Sequence, residues 1–335
     1  MKSEHSRTGE NMQLTFDRVL VTGGAGFIGS HTVDALVMNG AKVWVLDDLS
    51  TGRLKNLRKW RNEPAVRFTK GSITREKTIE SMARKVEAII HLAALVSPNI
   101  SVRNPGLTNE INVSGTLNVL RAALRNDVQK VVFASSSSVY GNAKTRSISE
   151  DAPLNPITPY GASKLAGEKY CLAYYSSYDL RTISLRYLNV YGERQSSNPY
   201  SGVIAIFARK LRDGRPPIIY GDGNQTRDFI YVSDVARANL LALTTTKGIG
   251  ESFNVGTGRA TSIKQLCRIL VNMTGKDVKA VFQKARPGDI RHSCANINKA
   301  RVDLNFEPKV SLRQGLRIML ESPSIISNRK LAGKE

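Results

Sequence analysis

Tyr160 and Lys164 stand four residues apart in the stretch Tyr160-Gly161-Ala162-Ser163-Lys164. Side chains at that spacing share one face of a helix. A lysine ammonium beside a phenol favours the phenolate and lowers the tyrosine pKa from its usual value of about 10. Tyr160 is therefore a candidate acid/base near neutral pH. Tyr-x-x-x-Lys is common on helices and means little alone. Its setting gives it weight, because it follows a strand that ends in Ser135-Ser136-Ser137-Ser138 and, further upstream, a phosphate-binding signature.

That signature is Gly24-x-Gly26-x-x-Gly29 within Arg18 to Ser30. Val19, Leu20 and Val21 read as a short buried strand, and the residues from His31 to Val37 carry apolar side chains at helical spacing. Strand, glycine turn, helix is the context in which this pattern holds a dinucleotide. Glycine lets the backbone turn sharply and approach a pyrophosphate, and the helix N-terminus offers free N–H groups to the anion. Lys42 to Leu46 form a second apolar strand with Asp47 and Asp48 at its end. That is roughly 20 residues past the last glycine, where a carboxylate meets the adenosine ribose hydroxyls. A carboxylate there repels a 2′-phosphate, so NAD is expected over NADP. The basic run Arg53, Lys55, Arg58, Lys59 and Arg61 is the one feature that could draw a 2′-phosphate.

These residues need a scaffold, and the chain supplies an alternation of strands and helices. Strands are expected over 66–68, 88–92, 130–134 and 182–185, and helices over about 107–125 and 160–175. Alternation of this kind argues for an α/β fold with a doubly wound parallel sheet. From about Tyr187 the texture changes to short elements with glycine turns at 221–223 and 256–258, which reads as a smaller second lobe. The 335 residues, 41% of them hydrophobic, suffice for a large core and one or two domains. Cys171, Cys267 and Cys294 are far apart, with no C-x-x-C, so neither a disulfide framework nor a zinc motif is suggested and a reduced, cytoplasmic protein is expected. His5 and His292 carry no metal-ligand spacing, His31 and His91 read as structural, and no metal is expected. No apolar run approaches the ~18 residues of a membrane span. The N-terminus is polar, without the apolar stretch of a signal peptide. The net charge of +21 suggests either a nucleic-acid surface or a solvated basic surface that draws in anionic substrates. No RNP1, zinc-finger or basic-zipper motif accompanies it, so nucleic acid is not expected as a partner.

Several motifs in register, together spanning Arg18 to Gly315, resemble the extended short-chain dehydrogenase/reductases, and more narrowly their NAD-dependent nucleotide-sugar epimerases and dehydratases. They are Thr22 to Ser30, His91-Leu92-Ala93-Ala94, Ser135 to Gly141, Tyr160 to Lys164, Arg186-Tyr187-Leu188-Asn189, Gly221 to Val235 and Arg286 to Ile290. The resemblance implies a Rossmann doubly wound parallel sheet with a smaller C-terminal α/β substrate lobe. It implies Tyr160 as acid/base at the sugar 4-hydroxyl, Lys164 at the nicotinamide ribose, and Ser136 bonded to the reacting hydroxyl. It further implies NAD contacts from Gly23, Gly26, Phe27, Ile28, Gly29, Asp47, Asp48, Ser50, Thr51, Gly52, Ser72, Ile73, Leu92, Ala93, Ala94, Asn112 and Tyr187. At position 72 the family often has aspartate, and serine can still accept a hydrogen bond there. UDP-sugar contacts are implied for Ser97, Ser136, Ser138, Asn189, Gly202, Val203, Tyr220, Arg227, Arg286, Asp289 and Ser293. On this reading residues 1–17 are a flexible extension, 18–186 the NAD-binding domain, 187–322 mainly the nucleotide-sugar lobe with some segments returning to the sheet, and 323–335 a basic tail.

The same resemblance separates the possible reactions. Dehydratases carry an Asp-Glu pair where this chain has Ser137 and Ser138, and decarboxylases tend to carry Glu at Ser138. Epimerisation at C4 of UDP-glucose and UDP-galactose remains, as in UDP-glucose 4-epimerases, and the small Ser293 leaves room for N-acetylhexosamines. A UDP-glucuronate epimerase, a reductase and a non-catalytic NAD-binding protein stand as alternatives. A homodimer through the helices around Asn112 and Tyr160 is expected.

Overall fold

The computed structural model describes residues 12–143, 145–196, 202–285 and 290–322. Arg286 and Asp289, expected at the substrate, lie outside the described residues, as do the first eleven residues and the tail from 323.

In the first half of the chain the strands are β1 (Arg18–Thr22), β2 (Lys42–Asp47), β3 (Val66–Lys70), β4 (Ala88–His91), β5 (Lys130–Ser136) and β6 (Arg181–Tyr187). The helices between them are α1 (Phe27–Met38), α2 (Glu76–Ala83), α3 (Pro98–Arg103), α4 (Pro105–Asn109), α5 (Gly115–Arg125) and α6 (Pro159–Tyr178). Then follow β7 (Asn189–Tyr191), α7 (Val203–Arg212), β8 (Ile218–Tyr220), β9 (Thr226–Tyr231), α8 (Val232–Thr244), β10 (Ser252–Val255), β11 (Ala260–Ser262), α9 (Ile263–Thr274), β12 (Val281–Gln283), β13 (His292–Ser293), α10 (Asn298–Leu304) and α11 (Leu312–Glu321).

Seven strands make one parallel sheet in the order β10-β6-β5-β4-β1-β2-β3. Alternating β1 residues serve its two faces: Val19 and Val21 belong to the core beneath α1 and α8, and Leu20 to the core beneath α2 and α5. The chain reverses its direction of travel across the sheet between β1 and β4. In open α/β sheets, ligands bind at the carboxyl ends of the strands beside such a switch point. The glycine turn follows β1 at that point, and Leu92-Ala93 follows β4.

The smaller lobe is built on β9, which pairs antiparallel with β11 and parallel with β7 and β13, and on the pair β8–β12. Its core gathers Tyr191, Phe207, Phe229 and Leu266. Between visits to this lobe the chain returns to the large sheet: β10 pairs with β6, and α8 packs on α1. The long helix expected over 107–125 is interrupted by a π-turn at Glu110–Ser114. Thr116 spends its hydroxyl on Asn112 O at 2.6 Å, a side chain competing for the helix ladder. No helix among the described residues is long and apolar enough to cross a membrane. All three cysteines are buried and free.

Candidate active site

The dinucleotide end is built from backbone. Gly23 has φ +71°, and a Cβ there would lie 2.8 Å from Ala93 N. A Cβ on Gly29 would collide with Gly23 O, so the turn closes only with glycine at both places. The N-cap of α1 is Gly26, and no side chain caps the helix. Its first-turn N–H groups are left for an anion, which fits a pyrophosphate. Phe27 and Ile28 open that helix. Asp47 ends β2, with Oδ2 accepting from Ala25 N at 2.9 Å and Oδ1 from Leu49 N at 2.8 Å. Burial raises its pKa and the backbone donors oppose the rise. Gly52 passes so close that a Cβ would lie 2.5 Å from Asp47 Oδ1. Asp48 accepts from Ser50 N at 2.9 Å, and Thr51 is exposed beside it.

Where β4 ends, a directed chain of hydrogen bonds fixes the loop. The Thr116 hydroxyl donates to Asn112 O, so it accepts from His91 Nε2, 3.1 Å away. His91 Nδ1 is then the acceptor for Thr22 Oγ1 at 2.7 Å, and Thr22 Oγ1 accepts from Ala93 N at 3.2 Å. Burial, reinforced by the Lys164 charge, pushes His91 down to about 3, so the ring stays neutral. Leu92 N donates to Thr22 O at 3.1 Å, and Ala94 follows in the same loop.

Asn112, carried on the π-turn, receives Leu95 N at 2.7 Å, donates to Leu95 O at 3.0 Å, and donates to Ser163 Oγ at 2.9 Å. Its amide is spent on the protein. It holds the loop after β4 against the helix of Tyr160 rather than presenting itself to a cofactor. Ser72 Oγ pairs with Thr74 Oγ1 at 2.9 Å, and the Ile73 side chain lies in the core against Gly115. Tyr187 is turned away from this end altogether, its hydroxyl donating to Asn239 Oδ1 at 2.5 Å in the core beneath α8. Only its main chain is left for a cofactor.

The reacting groups meet across β5 and α6. Thr158 caps α6, accepting from Gly161 N at 3.1 Å, and Pro159 takes the first helical position. This start places Tyr160, 8% exposed, with its hydroxyl beside the Ser136 side chain at the end of β5. Ser136 accepts from Ser138 N and donates to Ser138 Oγ, both at 3.1 Å. The phenol differs from expectation. Burial raises the Tyr160 pKa, and the Ser136 contact is what opposes it. Lys164 does share the helix face, but Nζ donates to Ala134 O at 2.8 Å, stacked 5.0 Å from the Phe133 ring. Burial brings Lys164 down to about 8. If this ammonium helps hold NAD, affinity of the free protein for NAD is expected to fall as pH rises through about 8, since the group is charged below that value and neutral above it. Fluorescence titration from pH 7 to 9 checks this, and a flat affinity would overturn it.

Of the residues expected at the substrate, Asn189 opens β7 and donates to Asp228 O at 3.3 Å. Gly202 and Val203 start α7, Tyr220 ends β8, and Arg227 lies on β9 with Nη1 on Thr226 O at 2.8 Å. Ser293 on β13 pairs in register with Arg227 and is buried. Ser97 caps α3, accepting from Ile100 N at 3.2 Å, and Ser101 of that helix accepts from Tyr160 N at 3.0 Å. Two structural supports were absent from the sequence reading. Arg186, quoted only as part of a motif, forms a buried ion pair with Glu168 at 2.8 Å. Asp228 holds the 256–258 turn through Thr257 N at 2.8 Å and Gly258 N at 3.0 Å. Opposite charges inside apolar runs were the available signal for the first.

The family described as NAD dependent epimerase/dehydratase matches this chain over residues 19–256. A UDP-glucose 4-epimerase of Mycolicibacterium smegmatis is 42% identical over 306 residues, covering 91% of this chain and 97% of that protein. The crystal structure of a UDP-glucose 4-epimerase with UDP-glucose from Thermotoga maritima superposes with a TM-score of 0.86 at 42% identity, covering 91% of this chain and 97% of the other. A UDP-N-acetylglucosamine 4-epimerase from Methanobrevibacter ruminantium, in complex with UDP-N-acetylmuramic acid, gives 0.87 at 36% identity, covering 92% and 98%.

Proposed function

The chain belongs to the NAD dependent epimerase/dehydratase family, and on that premise we propose that it inverts C4 of a UDP-hexose, UDP-glucose and UDP-galactose in the first place. The observation that carries the proposal is the placing of the Ser136 and Tyr160 side chains side by side where β5 and α6 meet. The uncapped α1 and the Gly23–Ala93 approach suit the pyrophosphate of NAD, and Asp47 suits its adenosine ribose. NAD held there would supply reversible hydride transfer at C4 of the sugar. Tyr160 takes the 4-hydroxyl proton and later returns it, while Ser136 orients that hydroxyl. Arg227 and Arg286 suit the diphosphate, since guanidinium groups grip phosphate oxygens in pairs. The diphosphate would be the fixed point about which the sugar turns. No external reductant is consumed.

Ser293, beside Arg227 in register, leaves room for a 2-acetamido group, so we extend the proposal to the UDP-N-acetylhexosamine pair. Purified protein incubated with UDP-galactose, UDP-N-acetylglucosamine and UDP-glucuronate, with products separated by chromatography, is expected to yield the C4 epimers of the first two. Brisk UDP-galactose turnover with no N-acetylhexosamine product would remove the extension. Absence of any C4 epimer would remove the proposal.

We also propose a homodimer. On α6, Ala162, Ala166, Tyr170 and Ala173 recur at three- and four-residue spacing on a face that is exposed or half-buried, and Leu124 of α5 is exposed. A dimer mass by light scattering is expected, and a monomer at micromolar concentration would overturn this.

A further inference from the structure

The short helix α3 is docked the wrong way round for a helix held by apolar burial. Among its described residues Ser101 alone is buried, at 0% exposed, while Ile100 is 37% and Val102 63% exposed. Apolar packing would turn the isoleucine and the valine inward. This face is held instead by the serine hydroxyl, since a buried polar group needs its hydrogen bonds met.

Those bonds run to the main chain of the reacting tyrosine. Ser101 Oγ accepts from Tyr160 N at 3.0 Å and gives its own proton to Pro98 O at 2.7 Å. The roles are fixed, because a main-chain N–H can only donate and a carbonyl can only accept. The first turn of α6 shows why Tyr160 needs this. The N–H groups that open a helix have no partner within it. Pro159 has no N–H. Gly161 N is met by Thr158 Oγ1 at 3.1 Å and Ala162 N by Thr158 O at 2.9 Å. Tyr160 N, passed over by that cap, is met from another helix. On its other side, Tyr160 O accepts from Ser163 Oγ at 2.8 Å, and Ser163 Oγ accepts from Asn112 Nδ2 at 2.9 Å. Both main-chain groups of Tyr160 are therefore gripped by the segment between β4 and α5, by Ser101 directly and by Asn112 through Ser163.

We propose that Ser101 is a positioning residue for the reaction: its hydroxyl caps α6 from outside and so sets the angle at which the Tyr160 phenol meets Ser136 and the sugar. The proposal rests on the reading that Tyr160 is the acid/base of a C4 epimerase. The phenol oxygen stands at the far end of a rigid ring, so a small tilt of the helix start is enlarged there. A misplacement of about 1 Å at a reacting group can cost about 100-fold in rate. In this role Ser101 acts only through the residue it holds.

The test is steady-state kinetics of UDP-galactose conversion by the full chain, loaded with NAD, as wild type, Ser101→Ala, Tyr160→Phe and the double variant. Ser101→Ala is expected to lower kcat about tenfold and to leave KM within about twofold, because the loss falls on the transition state and not on sugar binding. In the Tyr160→Phe background the same change is expected to cost less than about twofold, since the group it positions is already gone. Ser311→Ala removes a comparable cap, that of α11 at Gln314 N, and is the control for lost stability alone, expected to keep the wild-type kcat. Ser101→Cys keeps the shape with a weaker acceptor and serves if Ser101→Ala does not fold. The same split is expected of it, with a smaller loss. A wild-type kcat in Ser101→Ala overturns the proposal. So does a loss that recurs in full on Tyr160→Phe, which would make the effect general to the fold. A raised KM with unchanged kcat would move Ser101 to sugar binding and overturn it as well. Wild-type protein that turns over no UDP-sugar removes the functional reading itself, whereas normal turnover with an unaffected Ser101→Ala removes only the role of Ser101.

Discussion

Tyr160→Phe is expected to lower epimerase turnover by ~100-fold or more, the usual worth of a positioned acid/base. The ring stays, and with it the packing of a residue only 8% exposed. What goes is the hydroxyl beside Ser136, and with it the group assigned to take the substrate proton. Burial holds this phenol above its ordinary pKa in the free protein, so its activation depends on what enters the site beside it. The measurement is the initial rate of UDP-galactose conversion by wild type and variant at equal NAD occupancy. Near-normal turnover would end the assignment.

Arg186→Met is expected to cost about 3–5 kcal/mol of stability, the usual penalty for leaving one member of a buried ion pair behind. Both partners are almost wholly enclosed, with side chains 5% and 4% exposed. Glu168 receives Arg186 Nε at 2.9 Å and Nη2 at 2.8 Å, and also the Ser135 hydroxyl. Arg186 Nη1 donates to Tyr140 at 2.8 Å, whose own hydroxyl donates to Asn254 at 2.7 Å. One network therefore ties α6 to β5, β6 and β10. Denaturant unfolding of the single variant should show the loss, and adding Glu168→Leu should recover a large part of it, since a buried pair replaced by apolar residues is often neutral. A single variant as stable as wild type would overturn this account. Because Glu168 is four residues beyond Lys164 on the same helix, partial loss of NAD affinity should accompany the loss of stability.

Much of this arrangement was legible from residue types. The run Val19-Leu20-Val21 followed by glycines at 23, 24, 26 and 29 demands a strand and a tight turn, and both are present. The serines after Ala134 and the Tyr160–Lys164 spacing place their side chains at one strand end and one helix start. Contacts that depend on direction were not legible. Helical spacing gave Lys164 a shared face with Tyr160, yet a backbone carbonyl outbid the phenol for its protons. Strand alternation sends Tyr187 into the core, where Asn239 meets it from a helix 52 positions on. The bracing role of Asn112 between the loop after β4 and α6 was not legible, because the π-turn that aims it has no signature in a single sequence. The change of texture after Tyr187 did not announce the return of β10 to the large sheet, which depends on a long-range pairing.

That return limits how the molecule can move. The smaller lobe does not hang from one linker. The polypeptide crosses into it after β6, comes back as α8 and β10, and crosses again before β11. Several covalent strands therefore span the junction, and a wide hinge-like swing of one half over the other would have to bend all of them at once. Access to the cleft must be governed by small local adjustments. For the same reason a fragment ending at Tyr187 would lack both the helix that shields α1 and the strand that closes the β6 edge, and would not survive as an independent folding unit.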